Sequence, residues 1–210
     1  TPSATATTLS SNTAYTFRLK ARNGDLVETT YSPALTVYTL AQIPTLTGSP
    51  ASNTSLTLTV ANVVNLTSGQ SGVYLECTGT SCNTGIRQWM QTTSATVTGL
   101  SPNTQYTYHV KGRNYDAIET SYSGDISLYT MASIPSVVSA TSTGKTTVSL
   151  TVANSDNPDI TAVLVQESIS GKYLNPATGV LETNPVWTLY SNITQPITVS
   201  GLTANTTYTF

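Results

Sequence analysis

Few residues in this chain are of a type that does chemistry, and their spacing limits what that chemistry can be. Cys77 and Cys82 stand in Cys-Thr-Gly-Thr-Ser-Cys. Four intervening residues suit a disulfide that closes a tight hairpin loop, with two free thiols as the other reading. Such a short closure contributes about 2 kcal/mol on the chain-entropy view. Ser168 lies near the equivalent place further along, with no second Cys, so the bridge is a local staple. A structural zinc site needs about four ligands. The chain offers two Cys and a single His, so no metal is expected.

That histidine, His109, falls on the outward parity of a strand. A nucleophilic mechanism requires a hydroxyl or thiol and an orienting acid to converge on it. No spacing here brings them together. The expectation is no catalytic residue, no cofactor and a solvated surface histidine.

Ser155-Asp156-Asn157-Pro158-Asp159 gathers oxygen ligands of the kind Ca²⁺ takes. The equivalent Asn62-Val63-Val64-Asn65 lacks carboxylates, and an Asx turn is the better reading. Arg22-Asn23-Gly24-Asp25 also reads as a turn. Lys20, Arg22, Lys111 and Arg113 form an outward basic stripe placed to pair with Glu28 and Glu119 or to discourage edge pairing. Sequons occur at Asn53, Asn65, Asn192 and Asn205. Asn205 sits in a turn that itself explains an Asn, which leaves Asn65 and Asn192 as the glycosylation candidates. Trp89, Trp187, Tyr38 and Tyr129 are expected to be exposed and to offer contacts to other molecules.

The elements that carry these residues come from a phrase used three times. It reads Leu9-Ser-Ser-Asn12-Thr13-Ala-Tyr15-Thr-Phe17, Leu100-Ser-Pro-Asn103-Thr104-Gln-Tyr106-Thr-Tyr108, and Leu202-Thr-Ala-Asn205-Thr206-Thr-Tyr208-Thr-Phe210. The leading leucines are 91 and 102 residues apart, the size of a small β-sandwich rather than a solenoid repeat. Between two phrases, Leu56, Leu58 and Val60 alternate with polar or small residues, as do Tyr106, Tyr108 and Val110. Period two means strands with one buried face. Further strands are expected over Val73–Cys77, residues 86–91, residues 95–99 and near Ile126–Leu128. That makes about seven strands, with no helix of ten residues. The second copy spans residues 43–131 and the third 132–210. Residues 1–42 hold strands E, F and G of a first. Residues 1–17 and 194–210 cover the same stretch of the repeat, which points to a window on a longer array rather than one split domain.

Composition agrees. Apolar residues are 38% of the chain and charged residues 9%, against a usual charged share of about 25%. Tyr numbers 12 and Phe 2, so the aromatics carry polar tips. Thin sandwiches with uncharged polar surfaces have this make-up. With 8 basic and 10 acidic residues, no patch suits nucleic acid. No apolar run approaches the roughly 18 residues of a membrane span.

Leu100-Ser-Pro102-Asn-Thr104-Gln-Tyr106 followed by Tyr108-His-Val110-Lys-Gly-Arg-Asn114 resembles the fibronectin type III pattern. Phe17-Arg-Leu19-Lys-Ala21-Arg-Asn23 resembles it more closely at its end. The resemblance implies an all-β chain of tandem seven-stranded Greek-key sandwiches, strands A, B and E facing C, C′, F and G. It also implies tyrosine corners at Tyr15, Tyr106 and Tyr208. The strand B tryptophan usual in that family is absent. The phrase Glu-Thr-x-Tyr-Ser with a following Tyr-Thr-Leu/Met-Ala resembles repetitive surface proteins of environmental bacteria. These readings imply a non-catalytic, extracellular or cell-surface structural rod that associates with copies of itself. An adhesion or glycan-binding module, or the spacer of a secreted hydrolase, are the alternatives. Tyr106→Phe is expected to lose about 1–2 kcal/mol in a denaturant titration, through the backbone group left unpaired.

Overall fold

The computed structural model describes residues 3–82 and 86–210. Its strands in chain order are β1 (Ala14–Phe17), β2 (Leu35–Tyr38), β3 (Thr45–Ser52), β4 (Ser55–Ala61), β5 (Gly72–Cys77), β6 (Trp89–Met90), β7 (Ser94–Thr98), β8 (Gln105–Arg113) and β9 (Ile126–Tyr129). They continue as β10 (Ser136–Ser142), β11 (Val148–Ala153), β12 (Ala162–Val163), β13 (Val165–Gln166), β14 (Tyr173–Asn175), β15 (Val180–Glu182), β16 (Thr188–Leu189) and β17 (Ile197–Val199). Among the described residues the helical content is one 3₁₀ turn, Tyr190–Asn192. No helix of theirs is long and apolar enough to cross a membrane. The chain divides into two compact units. One holds residues 1–50, 55–99 and 105–128, the other residues 51–54, 100–104 and 129–210.

In the first unit, sheet β3-β4-β7 and sheet β6-β5-β8-β9 reproduce the A-B-E and C′-C-F-G orders of a fibronectin type III sandwich. Alternation decides which face is buried. Leu56, Leu58 and Val60 point inward from β4, Val73, Leu75 and Cys77 from β5, and Tyr106, Tyr108 and Val110 from β8. The inner faces meet closely. A Cβ added at Gly48 would come within 2.6 Å of Leu128 Cδ1 and 2.9 Å of Leu58 Cδ2. The largest fully buried side chain of this core is Tyr108 on β8, 1% exposed. Burial pushes its phenol up to about 12. The strand expected over residues 86–91 shortens to β6. Hairpin β1–β2 pairs Ala14 with Tyr38 through Phe17 with Leu35. The strand expected ahead of it does not form, since strand E of this fold pairs with a strand B and residues 3–13 have none beside them.

The second unit is built on β10-β11-β17, β12-β16 and β13-β14-β15. Its core comprises Leu150, Val152, Val163, Val165, Leu174, Ile193, Ile197, Val199 and Leu202. The third strand of this sandwich is broken at Leu164 into β12 and β13, which take different partners. The extra hairpin β14–β15 accounts for the longer spacing to the third phrase.

One equivalence differs from the sequence reading. Thr78 N–H donates to the carbonyl of Thr107 at 2.9 Å, and Ser168 N–H to that of Thr209 at 2.6 Å. The residue matching Cys77 is therefore Glu167, not Ser168. Cys77 is bridged to Cys82 across a Cα–Cα distance of 5.7 Å. Glu167, 1% exposed, also ties down the chain that follows it. Its carboxylate accepts N–H groups from Ile169 (3.1 Å), Ser170 (2.7 Å) and Thr209 (3.0 Å). Burial alone would raise the acid, but these bonds and the Ser170 hydroxyl hold it down, at about 2. A folded-state value below the ordinary 4.5 means that this stabilisation is full above about pH 4.5 and disappears as pH falls toward 2. Glu167→Gln should cost about 2 kcal/mol at pH 7 and flatten the acid limb of stability between those values, as read by denaturant titrations across pH.

Candidate functional site

The outward residues of β5, β6 and β8 form the most densely organised surface of the first unit. Register brings them together. Tyr74 stands opposite Lys111 and Glu76 opposite His109, and Tyr74 opposite Trp89. Directly opposed side chains interact across a sheet, and here they form a continuous ladder. Arg113 lies over the Trp89 ring, its guanidinium carbon 4.2 Å from the ring centre. The Tyr74 and Trp89 rings are 5.5 Å apart and tilted. Lys111 Nζ lies 5.3 Å from the Tyr74 ring, 5.7 Å from Trp89 and 5.0 Å from Tyr122. It also pairs with Glu119 at 2.5 Å, and that bond raises its pKa.

Beyond Lys111 the ladder becomes acidic. The Tyr122 hydroxyl donates to Glu76 at 2.6 Å. This bond lowers the Glu76 carboxyl and raises the Tyr122 phenol. Tyr122 stacks on His109 with ring centres 3.8 Å apart. His109 Nδ1 is 3.2 Å from Asp125, and Nε2 is 3.6 Å from Glu76. His109 is thus half-buried beneath a tyrosine rather than solvated as expected. Acyl transfer needs a hydroxyl against the imidazole, whereas both nitrogens here face carboxylates. The Thr107 and Ser127 hydroxyls on β8 and β9 bond each other at 2.8 Å. The arrangement organises charge on a surface.

Of the basic stripe, the two lysines pair with the glutamates. Lys20 pairs with Glu28 at 2.7 Å and sits 4.5 Å from the Tyr31 ring centre, which repeats the Lys111, Glu119 and Tyr122 grouping 91 residues earlier. Arg22 and Arg113 bridge to Glu28 and Glu119 through the backbone. In Arg22-Asn23-Gly24-Asp25, Asn23 Oδ1 accepts from the N–H groups of Asp25 and Val27, both at 3.0 Å. Asn114 does the same for Asp116 and Ile118.

The expected exposed aromatics divide. Trp187 is 65% exposed and Tyr129 is 52% exposed. Trp89 is half-buried under Arg113 and Lys111. Tyr38 is half-buried too, stacked on Tyr115 at 3.9 Å and 2°. Side chains from neighbouring strands and turns cover both, where exposure was expected. The Tyr15 hydroxyl accepts the Ser10 N–H at 2.8 Å, and that of Tyr208 the Thr203 N–H at 2.8 Å. Tyr106 is buried. In the Ser155–Asp159 loop the side-chain amides hold backbone. Asn154 Nδ2 donates to the carbonyls of Asn157 and Pro158, both at 3.0 Å, and Asn157 Nδ2 to that of Asn154 at 2.7 Å. Asn192 is exposed in the 3₁₀ turn. Asn65 differs, because its amide donates to the Asn12 carbonyl at 2.9 Å.

No family model matches the chain, and no curated protein matches it. Among solved structures it is similar to the crystal structure of the chicken CNTN1 FN1-FN3 domains, at 13% identity and a TM-score of 0.41. That match covers 90% of this chain and 68% of the other. It is also similar to domains d3-d4 of the rat CD45 extracellular region, at 20% identity and a TM-score of 0.38. Here 60% of this chain and 70% of the other are covered. The fibronectin type III-like fold follows from the strand order described above.

With Trp187→Phe as background, Arg113→Ala should uncover Trp89. The accessible fraction in acrylamide quenching should rise, the emission should shift to the red, and stability should fall by about 1 kcal/mol.

Proposed function

We propose that this chain belongs to a non-catalytic extracellular structural protein, as a segment of a tandem-repeat rod that assembles into a filament, sheath or surface fibre. The observation that carries the reading is the thrice-used turn together with the way linkers are fastened to it. Thr39 Oγ1 donates to the Ser10 carbonyl at 2.6 Å and accepts the Thr13 N–H at 3.0 Å, while Asn12 N–H reaches the Leu40 carbonyl at 2.9 Å. In the second unit Thr130 does the same with Ser101 and Thr104 (2.6 and 3.1 Å), and Asn103 with Met131 at 3.0 Å. Linkers pinned by several bonds resist bending, which suits an element held under tension. The disulfide agrees with an oxidising, extracellular setting. Self-association would use exposed apolar residues such as Tyr129, Ile134 and Trp187 as lateral contacts.

A second reading, adhesion to glycans, rests on Trp187 alone, since the face of Trp89 is occupied by Arg113. Negative-stain electron microscopy of the purified chain over a range of concentration and salt tests the first reading. Ordered assemblies weakened by Tyr129→Ala with Trp187→Ala are expected. Dispersed monomers under every condition would count against assembly, and polysaccharide retention lost on Trp187→Ala would favour the second reading.

A further inference from the structure

The asparagine of the repeated turn does more than its own turn requires. All three copies have positive φ: 44° at Asn12, 41° at Asn103 and 53° at Asn205. Asn tolerates that region better than most residues, and this alone would explain its presence. At Asn12, though, the side chain is 4% exposed and spends its amide elsewhere. Nδ2 donates to the Val64 carbonyl at 2.7 Å and lies 3.0 Å from the buried Ser71 hydroxyl. Oδ1 accepts the Tyr115 N–H at 3.0 Å. Asn65 Nδ2 answers with the bond to the Asn12 carbonyl. Asn114 Nδ2 donates to the Thr39 carbonyl at 3.2 Å, and the Tyr38–Tyr115 stack closes one side. A buried polar network is stabilising only when its members are satisfied, and each of these finds a partner across the same seam. The receiving loop, residues 62–71, joins β4 to β5 of the sandwich that follows in sequence.

Within the second unit the same turn position reaches the same kind of loop. Asn103 Nδ2 donates to Thr161 Oγ1 at 2.8 Å, in the loop joining β11 to β12. Asn157 of that loop fastens Ser133, accepting its N–H at 2.7 Å and donating to its carbonyl at 2.8 Å.

We propose that the asparagine of the Leu-x-x-Asn turn is a joint residue, and that the surface it serves fits a second sandwich of the same kind through the loop between that sandwich's second and third strands. The proposal rests on the rod reading above and names how its joints are set. It also assigns Asn65 to the joint. A glycan on that amide would displace the bonds to the β1–β2 segment, so Asn65 is unmodified wherever the joint is made.

Glycine at the turn position separates the two roles, because it keeps the positive φ and removes the amide. Hydrogen exchange should show the N–H groups of Ser68, Gln70, Ser71 and Tyr115 opening about tenfold faster in Asn12→Gly, the loss of roughly one hydrogen bond's free energy. In Asn103→Gly the same change is expected at Asn157 and Thr161, and in Asn205→Gly at neither loop. Ser71→Ala tests the seam from the receiving side and should accelerate Tyr115. Unchanged exchange at both loops in the first two variants, or equal effects in all three, would overturn the proposal. Absence of filaments from the unsubstituted chain, with faster loop exchange in Asn12→Gly and Asn103→Gly as expected, would count against the rod reading and leave the joint standing.

Discussion

Everything in the first unit follows from having one inward face per strand. A chain this poor in apolar residues cannot bury both sides of a sheet. Its core is a single layer in which β4, β5 and β8 each contribute every second residue. That constraint explains the close approach at Gly48, where no side chain fits between Leu58 and Leu128. It also explains why Tyr108 lies in the core with its hydroxyl included.

The outer face inherits the opposite problem. It must stay wet without inviting edge pairing or collapse, and the chain has few charges to spend on it. The ladder from Arg113 through Trp89, Tyr74, Lys111, Tyr122 and Glu76 to His109 distributes those charges so that each meets a ring or an opposite charge. Much of its aromatic area is thereby withdrawn from partners. This is why Trp89 is half-buried while Trp187, outside the ladder, is 65% exposed.

The strands were legible because period two is visible in any run such as Leu56-Thr-Leu58-Thr-Val60. The Lys111–Glu119 pairing was legible because it repeats at Lys20 and Glu28. The ladder itself was not. Its members lie on separate strands, and no spacing along the chain says that Tyr122 covers His109 until the register is known. Tyr38 and Trp89 were expected to be exposed, yet Tyr115 stacks on one ring and Arg113 lies over the other. The asparagines hid for another reason. A positive-φ turn explains an Asn completely, so nothing in the sequence asks for the second job that Asn12 performs on Ser71 and Val64.

Cys77 and Glu167 fill one site in two sandwiches and hold the chain beyond it by unrelated means, one by a covalent bond and the other by an ionised oxygen pair. Electron donors can undo the first and leave the second, while protons act only on the second. No single environment therefore loosens both loops together: reduction slackens one sandwich, and acid slackens the other.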